Sequence, residues 1–198
     1  AIVPLKNMEV FDNDTDNPKS LEIKIFPGKT GSFTLWEDEG DCVEESWVET
    51  KLEKAQEEGK DCFIIHSPQG NTAVLPEKRC WKLDFVKIKE NTVSVLVDGK
   101  ETAYKATVEK NGMCIEITEV PVNAEIKVVF ENPIEESLAD LAQEAYAILE
   151  KAQISYNLKS DLYGIIKEQQ KRAIATLASM ELEPAMFGAL CEILTAEK

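Results

Sequence analysis

The chain has 198 residues, of which 22 are Lys or Arg and 37 are Asp or Glu, so its formal net charge is -15; 43% of its residues are hydrophobic. This composition is ordinary for a globular protein and excludes a disordered or collagen-like polymer. The acidic balance argues against nucleic acid and anionic membranes as partners, because both would repel the chain. No apolar run approaches the roughly 20 residues that a membrane-spanning helix needs.

The first predicted element is a strand at the start of the chain. Residues 1–5 (AIVPL) are largely apolar and lack a polar leader, so we expect a chain cut from a longer polypeptide. Residues 21–26 (LEIKIF) and 32–36 (SFTLW) then alternate apolar and polar side chains, with the turn residues 27–31 (PGKTG) between them. This pattern predicts a β-hairpin with a five-residue loop.

Short strands broken by turn residues continue to about residue 131. Asp98-Gly99 and Asn111-Gly112 are dipeptides typical of hairpin turns. Residues 49–58 have helix-favouring side chains, but the apolar spacing at their start suits a strand, so we favour a strand for the first half. Many short strands at this spacing predict a mainly β fold, an antiparallel β-sandwich. The further strands expected are residues 62–66, 80–88, 92–97, 102–108, 113–117 and 124–130.

A helical pattern replaces the strands after residue 131, so we divide the chain into a β-sandwich domain at 1–131 and a helical tail at 132–198. Asn132 is expected to cap the first helix, with Pro133 in its first turn and Glu135 three residues after the cap. Further helices are expected from about residue 160 to 180 and from residue 183. Their apolar faces predict a small C-terminal α-helical bundle, which could brace the sandwich or form a homo-oligomer contact.

The titratable residues suggest reduced thiols and one candidate metal site. Five cysteines are present, an odd number without a CxxC pair, and most lie in apolar stretches. They are therefore interpreted as reduced core residues, which favours the cytoplasm. Glu37, Asp38 and Asp41 follow directly after a predicted strand and could hold Ca²⁺ through carboxylate oxygens. The alternatives for this acidic run are two carboxylates that act as acid and base in a glycosidase, or a solvated turn.

Trp36, Trp47 and Trp81 are candidates for a carbohydrate-binding platform, because sugar rings pack their C–H faces on aromatic planes. Aromatic residues at alternating strand positions are also typical of a sandwich core, which is the alternative reading of all three. The sequence contains no Gly-rich phosphate loop, nucleophile elbow or HExxH motif. Residue spacing alone therefore nominates no catalytic residue and no organic cofactor.

Three stretches in the sandwich region resemble one known family. LEIKIFPGKTGSFTLWEDEGD (residues 21–41) is similar to the signature of the distal C-terminal β-sandwich domain of glycoside hydrolase family 31: an apolar strand, Pro-Gly, a Gly-Ser-Phe-x-Leu strand and an acidic run. VLPEKRCWKLDF (residues 74–85) resembles the Leu-Pro-x-x-Arg strand of that domain, and residues 125–130 its closing strand. The opening AIVPL is similar to the last strand of the preceding, proximal domain, so residues 1–5 are assigned to the end of that domain.

The resemblance implies that the parent protein is a retaining α-glycosidase of carbohydrate metabolism, most often an α-glucosidase that hydrolyses terminal α-glucosidic bonds, with α-xylosidase as the main relative. It also implies that the catalytic aspartates lie on a (β/α)₈ barrel upstream of Ala1, so no catalytic residue carries over to this chain. The implied role is a non-catalytic accessory domain whose partner is the parent's own barrel. Trp36 stands where Tyr is usual, and the tail after Asn132 is not part of the common domain.

Two alternatives from other functional classes remain open. The chain could be an independent carbohydrate-binding module that takes oligosaccharide on its tryptophans, or an oligomerisation module that associates through the helical tail. A solvent-facing pair of tryptophans would favour the first alternative, whereas burial of all three would exclude it.

Overall fold

The computed structural model describes residues 1–6, 16–28, 30–40, 46–109, 112–137 and 140–195. The chain separates into two compact units, Ala1–Ser137 and Leu138–Lys198. The first unit is built of strands and the second of helices, which confirms the predicted mainly β fold with a helical C-terminal part. Within the described residues, every helix is too short or too polar to cross a membrane.

The strands of the first unit form two sheets. One has the order β1-β2-β7-β11-β10, and the other has the order β3-β4-β5-β12-β8-β9, with β6 paired to β4. Neighbouring strands are antiparallel apart from β2 and β7, which are parallel. The strands are β1 Ile2–Lys6, β2 Ser20–Ile25, β3 Gly31–Asp38, β4 Trp47–Glu57, β5 Lys60–Ile65, β6 Gln69–Gly70, β7 Lys78–Val86, β8 Val93–Val97, β9 Lys100–Glu101, β10 Lys105–Glu109, β11 Gly112–Pro121 and β12 Ile126–Phe130.

The core of the sandwich lies between the two sheets because apolar residues recur at every second position of the strands. Phe85 of the first sheet meets Phe63 and Phe130 of the second edge-to-face, with ring centroids 5.9 and 5.0 Å apart. Alternating apolar residues of β7 and β11, among them Leu83, Met113 and Ile115, complete the layer. Burial of this continuous apolar layer is the main stabilising term of the unit.

The predicted hairpin of residues 21–26 and 32–36 is wrong. Both segments are strands, but β2 pairs with β1 and β7 in the first sheet, whereas β3 pairs with β4 in the second. The Pro27-Gly28 turn therefore carries the chain from one sheet to the other. The ammonium of Lys54 donates to the backbone oxygens of Phe26 at 2.9 Å and Pro27 at 3.4 Å, which ties this crossing to β4.

The strand predictions with the most local evidence are confirmed. Val97 pairs with Lys100 across Asp98 and Gly99, whose φ angles of 49° and 75° are those of a two-residue hairpin turn. Strands β10 and β11 also pair antiparallel, with Glu109 opposite Gly112, although Asn111 lies outside the described residues. The ambiguous segment at 49–58 belongs to strand β4, which extends from Trp47 to Glu57.

The second unit contains helices α1 Leu141–Lys151, α2 Tyr156–Gln169, α3 Ala173–Ala178 and α4 Pro184–Thr195. Asp140 caps α1 by accepting from the backbone N–H groups of Ala142 and Gln143. The single helix expected at 160–180 is divided, because Gln170 has a φ of 52° and begins a short 3₁₀ turn before α3. The buried faces share one core made of Leu141, Ala142, Ala145, Leu149, Leu162, Ile166, Ala173, Leu177, Leu190 and Leu194.

The predicted helix start at Asn132 is wrong. Residues 132–137 run alongside the loop that follows β7, where the backbone N–H of Lys89 donates to Glu135 O and that of Ser137 donates to Lys87 O, at 2.9 and 2.8 Å. Because these backbone groups already form hydrogen bonds outside a helix, residues 132–137 do not form a helical turn despite the Asn-Pro capping signal.

Candidate functional site

Two of the three candidate tryptophans form an exposed pair on the second sheet. Trp36 on β3 and Trp47 on β4 stack with ring centroids 4.5 Å apart and an interplanar angle of 17°. They remain 51% and 39% exposed. The exposure of both tryptophans follows from the alternation of side chains along a strand, because their neighbours Glu37 and Val48 point inward. The pair therefore leaves part of both indole side chains open to solvent.

The structure does not bring Trp81 together with this pair. Trp81 is only 4% exposed and belongs to the core between the sheets. The guanidinium carbon of Arg79 lies 5.5 Å from the centroid of its ring, a geometry of cation–π attraction. Trp81 is thus placed as a packing residue, and an aromatic platform on this domain is limited to Trp36 and Trp47.

Glu37 is buried in an ion pair with Arg79. The Arg79 Nη1 and Nη2 atoms donate to Glu37 Oε2 and Oε1 at 2.9 and 2.7 Å, and Arg79 Nε donates to Pro18 O at 2.9 Å. Both side chains are excluded from solvent, at 0% and 6% exposure. Because Glu37 lies on β3 and Arg79 on β7, this bidentate contact joins the two sheets. Arg79 is the arginine of the Leu-Pro-x-x-Arg strand, and the sequence alone did not predict its partner.

The other residues of the acidic run are not gathered around one point. Asp38 is exposed, and its Oδ1 accepts from the backbone N–H of Gly40 at 2.8 Å, which makes a short polar turn. Asn17 Nδ2 donates to the backbone oxygen of Asp38 at 2.8 Å. Asp41 lies outside the described residues. Within the described part of the chain, no three carboxylate, thiol or imidazole groups converge as metal ligands would, and the calcium site stays a prediction.

A shallow polar depression of about 340 Å³ lies beside the tryptophan pair on the outer face of the second sheet. Glu49 lies directly opposite Trp36 across the β3–β4 pair and is one of its lining residues. At its other end, His66 Nε2 lies 2.8 Å from Glu53 Oε2, and Lys51 donates to the same oxygen at 2.8 Å. These two hydrogen bonds, that from Lys51 first, lower the pKa of Glu53. The depression is lined by Thr34, Glu49, Lys51, His66, Ser67 and Gln69.

A larger cavity of about 440 Å³ lies between the sheets at the β2–β3 crossing. Two of its polar side chains are bonded to the backbone: Lys54 Nζ donates to Phe26 O, and Asp61 Oδ2 accepts from the N–H of Ile134 at 3.2 Å. The rest of the wall includes the apolar side chains of Ile25, Phe63, Phe85, Ile88, Phe130 and Ile134. Two carboxylates, Asp61 and Glu136, also line the cavity, and Asp61 Oδ1 accepts a further hydrogen bond from Gln56 Nε2 at 2.7 Å.

The surroundings of the buried thiols make them unreactive. Desolvation raises the pKa of Cys114 to about 11 and also raises the pKa of Cys62, so both stay protonated near neutral pH. Cys80 and Cys191 are free and half-buried. Cys42 lies outside the described residues.

Comparison with known proteins identifies structural similarity only. No family model matches the chain, and no curated protein matches it. Two solved structures of a GH31 dextranase from Flavobacterium johnsoniae are similar to it, one of a mutant complexed with isomaltotriose and one complexed with glucose. Each is 18% identical with a TM-score of 0.48, over 65% of this chain and 19% of the dextranase chain. The chain thus spans about a fifth of the length of these dextranase chains.

Proposed function

We propose that residues 1–131 are a non-catalytic accessory domain of a larger α-glycosidase related to glycoside hydrolase family 31. The observation that carries the proposal is the Glu37–Arg79 ion pair. Glu37 belongs to the acidic run, and Arg79 to the Leu-Pro-x-x-Arg strand, which are separate stretches of the family resemblance. Their bidentate contact across the sandwich gives both motifs one structural purpose, which is to hold the two sheets together.

The carboxylates of the acidic run are poorly suited to glycoside hydrolysis. A retaining glycosidase needs two carboxyl groups about 5–5.5 Å apart that both reach the sugar. Glu37 is buried and both of its oxygens accept from Arg79, so it cannot contact a substrate. Asp38 is exposed but bonded within its own turn. These contacts support an accessory role; in this proposal the chemistry belongs to the barrel of the parent enzyme.

A hydrolysis assay of the 198-residue chain tests the non-catalytic role. With p-nitrophenyl α-D-glucopyranoside and α-D-xylopyranoside, we expect no turnover above that of heat-denatured protein. Turnover that is abolished by Asp38→Asn would contradict the proposal, because it would assign chemistry to the acidic run itself.

A second experiment tests whether this chain is part of a larger enzyme. Antibodies raised against this chain should precipitate from the source organism a polypeptide well above 22.1 kDa that hydrolyses α-glucosides or α-xylosides. A precipitated species of about this mass without glycosidase activity would overturn the proposal. The cytoplasmic location stays a prediction, which the same antibodies would check by cell fractionation.

A further inference from the structure

The outer face of the second sheet places polar side chains in rows beside the tryptophan pair. The strand register sets Trp36, Glu49 and Gln69 side by side on β3, β4 and β6. In the next row, Thr34 is opposite Lys51 on the same face. Cross-strand neighbours have Cβ atoms about 5 Å apart, so one small ligand can contact several of these side chains at once.

The stacking of the tryptophans determines which aromatic surface is available. Trp47 covers one face of the Trp36 ring, so the other face looks away from Trp47. Trp47 lies opposite Asp38 in the row on one side of Trp36, and Thr34 lies in the row on the other side. The ring face of Trp36 that is turned away from Trp47 is therefore on the side of the Thr34 row, and Thr34 lines the polar depression, although neither tryptophan does.

The depression offers hydrogen-bonding groups that the protein does not use itself. Among the described residues, the side chains of Glu49, Ser67 and Gln69 have no hydrogen-bond or ion-pair partner. They supply carboxylate, hydroxyl and amide groups, which accept from and donate to hydroxyl groups. By contrast, Lys51 and His66 are both engaged by Glu53, so the depression carries no unpaired cation to attract an anionic ligand.

We infer that this face binds a neutral oligosaccharide of two or three units, with one sugar ring packed on Trp36 and a neighbouring ring hydrogen-bonded to Glu49 and Gln69. The aromatic face suits the C–H face of a pyranose, and the free acceptors suit its hydroxyls. A depression of about 340 Å³ is within the size range of small-ligand sites. The net charge of -15 opposes acidic sugars and phosphorylated ligands. The inference goes beyond the accessory role, which requires no sugar contact.

Calorimetric titration of the whole chain with maltotriose, isomaltose and xyloglucan oligosaccharides tests the site. We expect at least one of them to bind with a Kd of roughly 1 mM or tighter. Trp36→Ala should weaken that binding by about 10-fold or more, because it removes the stacking surface, and Trp36→Phe should restore part of it. Glu49→Ala should weaken it several-fold. An oligogalacturonate of matched length should not bind.

Tyr156→Ala is the matched control, because Tyr156 is an exposed aromatic residue in the helical unit and its removal should leave sugar affinity unchanged. Unfolding by urea, followed by circular dichroism, checks that Trp36→Ala remains folded. If none of the neutral oligosaccharides binds, or if Trp36→Ala binds with unchanged affinity, the inference is wrong. Neither result affects the accessory role, which fails only if the chain hydrolyses glycosides or proves not to belong to a larger glycosidase.

Discussion

Removing the negative charge of Glu37 should destabilise the β-sandwich strongly. Glu37→Gln keeps the size of the side chain but leaves the fully buried guanidinium of Arg79 without its counter-charge. Arg79 keeps its bond to Pro18 O and its contact with Trp81, so part of its environment survives. Removing one partner of a buried ion pair lowers the free energy of unfolding by about 3–5 kcal/mol. Because Arg79 keeps these two contacts, we expect a loss of about 3 kcal/mol.

Tryptophan fluorescence during urea unfolding measures this loss in the sandwich alone, because all three tryptophans belong to that unit. For a unit of this size the loss corresponds to a fall in Tm of about 10 °C. Glu135→Gln is the matched control: it removes the same charge from an exposed pair with Lys89 and should leave the urea midpoint nearly unchanged. The double variant Glu37→Met, Arg79→Met should lose less than the sum of its single changes. A loss below about 1 kcal/mol in Glu37→Gln would refute the reasoning.

Three further predictions concern the thiols, the glycines and the response to acid. Cys62 and Cys114 should resist iodoacetamide at pH 8 in the folded protein and react in urea, as mass spectrometry would show, because burial raises the pKa of both; labelling at equal rates in both states would contradict this. Gly112→Ala should cost more than about 2 kcal/mol in urea unfolding, since its Cβ would lie 2.0 Å from Phe85 O, whereas Gly164→Ala in open helix surface should gain about 0.5–1 kcal/mol. The pKa of Glu53 is lowered from 4.5 in the folded state. The charged carboxylate therefore stabilises the folded protein fully at pH values above the pKa of the unfolded state, and this stabilisation is lost as pH falls through the pKa of the folded state. The difference in the free energy of unfolding between the unmodified protein and Glu53→Gln should therefore shrink between pH 6 and pH 3.

Signals carried by neighbouring residues predicted the fold well, and signals that need a distant partner did not. Asp98-Gly99 supplies two positive φ angles, which is enough to determine a two-residue hairpin locally. Pro27-Gly28 indicates a turn with equal clarity, but whether the next strand stays in the same sheet depends on partners elsewhere in the chain. Asn132 likewise carries a capping signal, but the residues after it pair with the loop following β7 instead.

For the candidate site, the sequence named three tryptophans but could not separate the exposed pair from the buried one. Trp81 differs from Trp36 and Trp47 only in the face of its strand, and that face is decided by packing against the other sheet. The sequence does carry one useful signal. Phe33, Leu35 and Glu37 alternate along β3 and so share one face, and the two apolar side chains indicate that this face, with Glu37, points inward. Gln69 gives no such signal, because its place beside the tryptophans arises from the pairing of β6 with β4.

The alternation of β3 joins the two roles assigned to this domain. Trp36 and Glu37 are adjacent in sequence, but successive side chains of a strand point to opposite faces, so one faces solvent and the other faces the sheet opposite. The buried Glu37–Arg79 pair fixes the position of β3, and the position of β3 in turn sets the Trp36 ring beside Glu49 and Gln69. The ion pair therefore positions the proposed sugar site as well as stabilising the sandwich. Its loss should weaken sugar binding through the placement of the strand, whereas the loss of the Trp36 ring should weaken binding directly and destabilise the sandwich less than the loss of the ion pair.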